Sequence, residues 1–372
     1  MITRRFLLAV SLLLFFAMGR GQEEEGKERL RTGPALAMSE ARAGHTATLL
    51  PDGRVLIAGG FQPSRRSHES AYLATAELFD PRTRRFTTTG SMNFPRAGHA
   101  AALLPNGFVL VAGGFSTMGT LSSAEIFDPV AGTFTPIGNM HARRGGLTAT
   151  PLPDGSVLLA GGGDKEPGAT AEIFDPTTKK FRATASMIFP RSEHSAVSLP
   201  GGLVLITGGA SRRETVLADA EIFDPRQEQF LRTGTMATPR YKHASRVLQN
   251  GDVLVFGGSS SSVSSSPLAS VERYDAASGR FLPMQPLRHS HAKLAGAVAA
   301  IPGDLYLIAG GDAAIELYAG GEQRSVVLGT LDRPYAYTTA TILKGDSVLI
   351  AGGCDDSFRS IRTAWIWKKS PP

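Results

Sequence analysis

Short apolar runs recur along the chain with one fixed punctuation. VLIAGG, VLVAGG, VLLAGG, VLITGG, VLVFGG, LYLIAGG and SVLIAGG each end in a glycine pair, at Gly59-Gly60, Gly113-Gly114, Gly161-Gly162, Gly208-Gly209, Gly257-Gly258, Gly310-Gly311 and Gly352-Gly353. Their mean spacing of about 49 residues marks a repeat architecture, in which each unit buries its apolar faces only against its neighbours. In the second copy, HAAALL and FVLVAGG flank PNG, and an Asn-Gly or Asp-Gly between two such runs predicts a tight hairpin with positive φ at both central residues. The turn recurs as PDG, PNG, PDG, PGG, QNG, PGD and KGD. A third strand is predicted at AELFD, AEIFD, VERYD and IELYA, and a fourth at RRFTTTG, GTFTPIG, KKFRATA, EQFLRTG and GRFLPMQ. Asp80-Pro81, Asp128-Pro129, Asp175-Pro176 and Asp224-Pro225 part the two, because Asp caps a turn and Pro presets its φ. Four antiparallel strands per unit make one blade, and no segment sustains a helical period, so the chain is expected to be all-β.

With the di-glycine closing the second strand, a variable loop, and aromatics in the third and fourth strands, the chain resembles the kelch-repeat propellers over residues 30 to 369. It is also similar to the propeller at the centre of galactose oxidase-like proteins. Copies six and seven are worn: IELYAGG lacks the Asp-Pro turn, and TAWIWKK keeps only Trp365 and Trp367. Met38 and Arg42 repeat the spacing of Met92 and Arg96, Met187 and Arg191, and Met236 and Arg240, so residues 30 to 38 are read as a displaced fourth strand. That strand would complete the last blade, where the C-terminal copy ends after its third. The expectation is a seven-bladed ring, with six blades as the alternative if the last copy forms none.

Residues 1 to 21 stand apart. Arg4 and Arg5 precede the apolar run FLLAVSLLLFFA, followed by Ala17 and Gly19, which reads as a secretory signal peptide too short to span a bilayer comfortably. Residues 22 to 29 form a charged leader. The mature protein is therefore expected to be secreted, periplasmic or on a bacterial cell surface, with no stable membrane insertion once the signal is cleaved. The formal charge of +6 falls to +3 without Arg4, Arg5 and Arg20, too little over the remaining chain for a nucleic-acid partner. Cys354 is the one cysteine and can form no intramolecular disulfide. A core of this size needs neither disulfide nor metal, and a monomer is expected.

Candidate chemistry lies where the repeat departs from its structural duty. The resemblance implies that the loops entering each first strand and leaving each second strand share one face around the channel mouth. Arg42, Arg96, Arg144, Arg191, Arg240, Arg288 and Arg333 recur once per blade, and some related propellers hold acidic peptides with such arginines. Glu77, Glu125, Glu172, Glu221, Glu272 and Glu316 recur on the third strands, so a repeated internal ion pair is the simpler expectation. His45, His99, His194, His243 and His291 follow three residues later and are expected to pack against neighbouring blades rather than bind metal. Among the variable loops, Arg65, Arg66, His68, Arg212 and Arg213, with Asp355, Asp356 and Arg359, are the ligand-face candidates.

Copper-radical sugar oxidases are built on such a propeller. Their metal takes two Tyr, two His and a Cys crosslinked to Tyr, with one ligand from a further domain that is not expected within these residues. No cofactor and no catalytic residue are predicted. The sequence thus points to a binding or interaction module for a carbohydrate or an acidic protein segment. The alternative is a small channel-mouth enzyme on sugars, mutarotase-like or oxidase-like.

Overall fold

The computed structural model describes residues 35–63, 70–163, 168–211, 215–262 and 266–369. Residues 1 to 21 and 22 to 29, expected to be a signal peptide and a charged leader, lie outside the described residues. Seven four-stranded antiparallel sheets follow one another along the chain, and no helix occurs among the described residues. Blade one comprises Thr46–Leu49, Val55–Ala58, Ala76–Asp80 and Arg85–Thr88. Blade two comprises Ala100–Leu103, Val109–Ala112, Ser123–Asp128 and Thr133–Asn139, and the plan repeats through blade six, which ends with Arg324–Thr330.

Blade seven takes Thr339–Ile342, Val348–Ala351 and Thr363–Trp367 from the C-terminal part of the chain and Leu36–Ala37 from the N-terminal part. Leu36 pairs with Ala364 and Ala37 with Thr363. Both ends of the chain therefore share one sheet, and the propeller closes.

Every second strand is buried at all four positions, because both faces of a blade meet a neighbour. Blade two shows how. Val109, Val111 and Phe127 pack on Leu56 and Leu78 of blade one, while Leu110 and Ile126 pack on Val157 and Phe174 of blade three. Near-continuous apolar runs are what such two-sided burial requires.

The glycine pairs let successive blades interlock. Gly59 and Gly60 have φ of 63° and 106°, and a Cβ on Gly59 would lie 2.5 Å from the carbonyl oxygen of Arg96 in the next blade. The Gly60 N–H donates to that carbonyl at 2.8 Å, and the stitch recurs through Gly114, Gly162, Gly209, Gly258, Gly311 and Gly353. Gly353 donates to Arg42 and so joins blade seven to blade one.

One local expectation is corrected. Gly53 has φ 91° but Asp52 does not enter the left-handed region. The Leu50 carbonyl accepts from Gly53 at 2.9 Å, and Leu50 N–H donates to Arg54 at 2.8 Å, giving a type I turn closed by a glycine bulge. Asp52 Oδ1 accepts from the Arg54 N–H at 2.9 Å, which stabilises this form over the two-residue turn.

Candidate functional site at the channel mouth

The repeat arginines sit inside the molecule. Arg42, Arg96, Arg191 and Arg240 are 0% exposed and Arg144 is 1% exposed. Each meets the third-strand glutamate of its own blade: Arg42 and Glu77 at 3.0 Å, Arg96 and Glu125 at 2.8 Å, Arg144 and Glu172 at 3.0 Å, Arg191 and Glu221 at 2.7 Å, Arg240 and Glu272 at 2.6 Å. Arg96 also donates to the carbonyls of Gly113 and Ser123, both at 2.9 Å, and Glu125 accepts from the Asn93 N–H at 2.8 Å. Burial lowers the pKa of Arg96, and Glu125 partly offsets it. A guanidinium so enclosed ties three strands and a loop together and cannot reach a ligand.

Blades six and seven break this register. Arg288 and Arg333 were expected at the arginine position, but both are exposed and hold other places. In blade six His291 replaces the arginine: its N–H donates to Leu268, as Arg240 donates to Leu217, and its ring nitrogens meet Gly310 O at 2.8 Å and Glu316 Oε1 at 3.1 Å. In blade seven Tyr335 stands there and Trp365 takes the glutamate position opposite Ile350, with ring centroids 5.8 Å apart. Three residues of loop length separate sequence register from structural register in blade six, and two in blade seven. His291 accordingly leaves the group of first-strand histidines.

The other four histidines bridge blades. His45 meets Thr339 at 3.0 Å, His99 meets Thr46 at 2.9 Å, His194 meets Thr148 at 2.9 Å and His243 meets Thr207 at 2.8 Å. Burial, reinforced by the adjacent arginine, depresses the pKa of His45, His99 and His194 to about 3, so these rings are neutral.

Of the loop candidates, Arg65, Arg66, His68, Arg212 and Arg213 lie outside the described residues. Asp355 is buried and accepts from the Arg359 N–H at 2.9 Å and from Arg333 at 3.4 Å. Asp356 and Arg359 are exposed, and none of these three faces the channel.

The channel holds a cavity of about 750 Å³, and its mouth is set by one residue per blade, two positions after the arginine. These residues are Gly44, Gly98, Gly146, Glu193, Lys242, Lys293 and Tyr337, and all have φ between 53° and 66°. Their backbones form a belt: Gly98 N–H donates to Gly44 at 3.1 Å, Gly146 to Gly98 at 3.0 Å, Glu193 to Gly146 at 2.8 Å and Lys242 to Glu193 at 2.8 Å. Glycine suits this left-handed conformation, as blades one to three show. In blades four to seven the same geometry is imposed on side chains at a cost of about 1–2 kcal/mol each.

Those side chains converge. Lys242 Nζ donates to the Tyr337 hydroxyl at 3.2 Å and lies 5.5 Å from its ring centroid, while Lys293 Nζ lies 5.0 Å from the same centroid. Phe61 meets Tyr337 edge to face at 5.7 Å, and Phe115 lies over Gly98 and Gly145, so aromatic rings cover the glycine side of the mouth. Burial works against the Lys242 ammonium, but Glu193 and then Tyr337 outweigh it and hold its pKa above the ordinary lysine value. Lys293 goes the other way: burial, and then the charge of Lys242, lower its pKa. Deeper in the channel, Arg246 donates to Val298 O at 2.9 Å and Ser245 O at 2.7 Å.

None of the four mouth side chains was singled out from sequence. The signal was there in the dipeptides after the arginine position: Ala-Gly, Ala-Gly and Gly-Gly in the first three copies, then Ser-Glu, Tyr-Lys, Ala-Lys and Ala-Tyr. Finding the last two requires knowing that His291 and Tyr335 replace the arginine.

No family profile and no curated protein matches the chain. A solved structure described as a novel fungal alcohol oxidase with catalytic diversity among the AA5 family, in complex with copper, is similar with a TM-score of 0.71. The identity is 13%, covering 91% of this chain and 76% of that one, so the likeness is one of fold. The described residues do not fit a copper ion: no three His, Cys, Asp or Glu side chains among them converge to hold a metal, the first-strand histidines are committed to hydroxyls, and cationic lysines occupy the mouth. The chain is a seven-bladed β-propeller sharing its fold with that copper-containing oxidase.

Proposed function

We propose that this chain is an exported propeller of the kelch type whose channel mouth is a binding site for an acidic carbohydrate. The observation that carries this reading is the convergence of Lys242 and Lys293 on one aromatic ring, on backbone held left-handed where three sister positions keep glycine. Two ammonium groups at a half-enclosed mouth suit a carboxylate. Phe61, Phe115 and Tyr337 give the mouth aromatic surface suited to a sugar ring, and Thr46, Thr148 and Thr339 line the same cavity. Glu193 is the single carboxylate of the mouth belt and can accept from a sugar hydroxyl.

A glycan array carrying uronate-containing and matched neutral glycans tests the reading. Uronate glycans are expected to be retained in low salt and released by Lys242→Met, while an acidic peptide set serves as the competing ligand class. Retention of neutral glycans alone, or no effect of Lys242→Met on binding, overturns it.

A further inference from the structure

Lys242 and Lys293 share one ring but differ in chemical situation. Lys242 has the Tyr337 hydroxyl as partner and Glu193 within electrostatic reach. Lys293 Nζ meets no carboxylate and no hydrogen-bond acceptor among the described residues, and it faces the cavity over the Tyr337 ring. Two ammonium groups within 5.5 Å of one ring centroid repel, and the one without a partner is the more easily deprotonated. The backbone next to Lys293 is also irregular. Blade six begins its first strand only at Val298, seven residues after His291, so that Ala295 and Gly296 are exposed and line the channel on the stretch that carries Lys293.

We propose that Lys293 is a nucleophilic amine that condenses reversibly with the aldehyde carbon of a carboxylate-bearing ligand, the chemistry of an open-chain sugar acid. The Nζ lone pair attacks the carbonyl carbon, and the C=O π pair moves to oxygen, which is protonated to the carbinolamine. Loss of that hydroxyl as water, with release of the nitrogen proton, leaves the C=N bond; no oxidant or reductant is needed. Tyr337 positions both steps. Its oxygen accepts from Lys242, which leaves its own proton available for the departing hydroxyl. Burial and then the charge of Lys242 lower the pKa of Lys293, so its amine is easier to deprotonate than that of an exposed lysine. The inference rests on the proposed anion site only for the preference among aldehydes.

The test is reductive trapping on the intact protein near pH 7.5, with glyoxylate and cyanoborohydride, mapped by peptide mass spectrometry. Glyoxylate presents a carboxylate to Lys242 and an aldehyde to Lys293. The expected result is a single carboxymethyl adduct on Lys293, formed before any on the exposed lysines such as Lys344. Lys293→Arg should lose it, and Lys242→Met should slow it. Formaldehyde, which has no carboxylate, should mark Lys293 first as well. If formaldehyde selects Lys293 but glyoxylate has no advantage, the imine chemistry stands and the anion site falls. If glycan binding is intact but both probes label lysines evenly or spare Lys293, the imine proposal is overturned and the binding site stands.

Discussion

Lys242 Nζ and the Tyr337 hydroxyl meet at 3.2 Å across the channel mouth, joining blades five and seven through side chains 95 residues apart. The contact fixes one ammonium in the mouth while Lys293 remains free to engage a ligand. Lys242→Met should weaken binding of a carboxylated glycan by about tenfold, near 1.4 kcal/mol, as expected for one lost charged hydrogen bond. Titration calorimetry at two salt concentrations checks this, and the wild type should lose more affinity than the variant as salt rises.

The strained belt separates stability from function. Lys293→Gly places glycine at φ 57°, as Gly98 already is, and should raise stability by about 1 kcal/mol while binding falls. Chemical denaturation beside the same binding assay would reveal both changes; a loss of stability would show that the side chain is held for packing.

Buried and exposed arginines should part company. Arg96→Ala strands Glu125 without its guanidinium and is expected to cost about 3 kcal/mol or more. Arg333→Ala removes a half-exposed side chain and should stay within about 0.5 kcal/mol. Urea unfolding of the two variants makes the comparison.

Blade seven carries an aromatic pair where blades one to five carry an ion pair. Trp365→Glu buries a carboxylate opposite Tyr335 and should destabilise strongly, and adding Tyr335→Arg should recover part of the loss. A double-mutant cycle with no coupling would mean that the two positions are not equivalents of the arginine and glutamate.

Four neutral histidines make the ring acid-sensitive. The folded pKa of His45, His99 and His194 is about 3 and that of His243 is also well below the ordinary imidazole value of 6.5, so below pH 6.5 the unfolded chain binds protons that the folded chain refuses. Stability is complete above pH 6.5 and falls as pH drops towards 3, by about 1.4 kcal/mol per unit for each histidine. Melting temperatures between pH 7 and 4 should show this slope, and His99→Gln should make it shallower.

Closure depends on two short N-terminal residues and the methionine after them. A chain beginning at Ser39 loses Leu36, Ala37 and the buried Met38, exposing the edge of the Thr363–Trp367 strand. Its melting temperature should drop sharply. No change by calorimetry would mean that the ring is closed by other contacts.

The repeat in this sequence determined the architecture, because di-glycines and two-sided apolar strands can be satisfied only by a blade between blades. The pairing of Arg96 with Glu125 was also legible, since two residues that recur once per unit must meet once per unit. The mouth was decided by tertiary structure. Glu193, Lys242, Lys293 and Tyr337 differ in type and are spread over 145 positions, so no periodicity marks them. Only ring closure brings them onto one rim, and only the replacement of arginine by His291 and Tyr335 reveals their common position. A strand pattern is local and repeats, whereas a binding site on a propeller is the sum of its exceptions, gathered by a geometry that no single repeat contains.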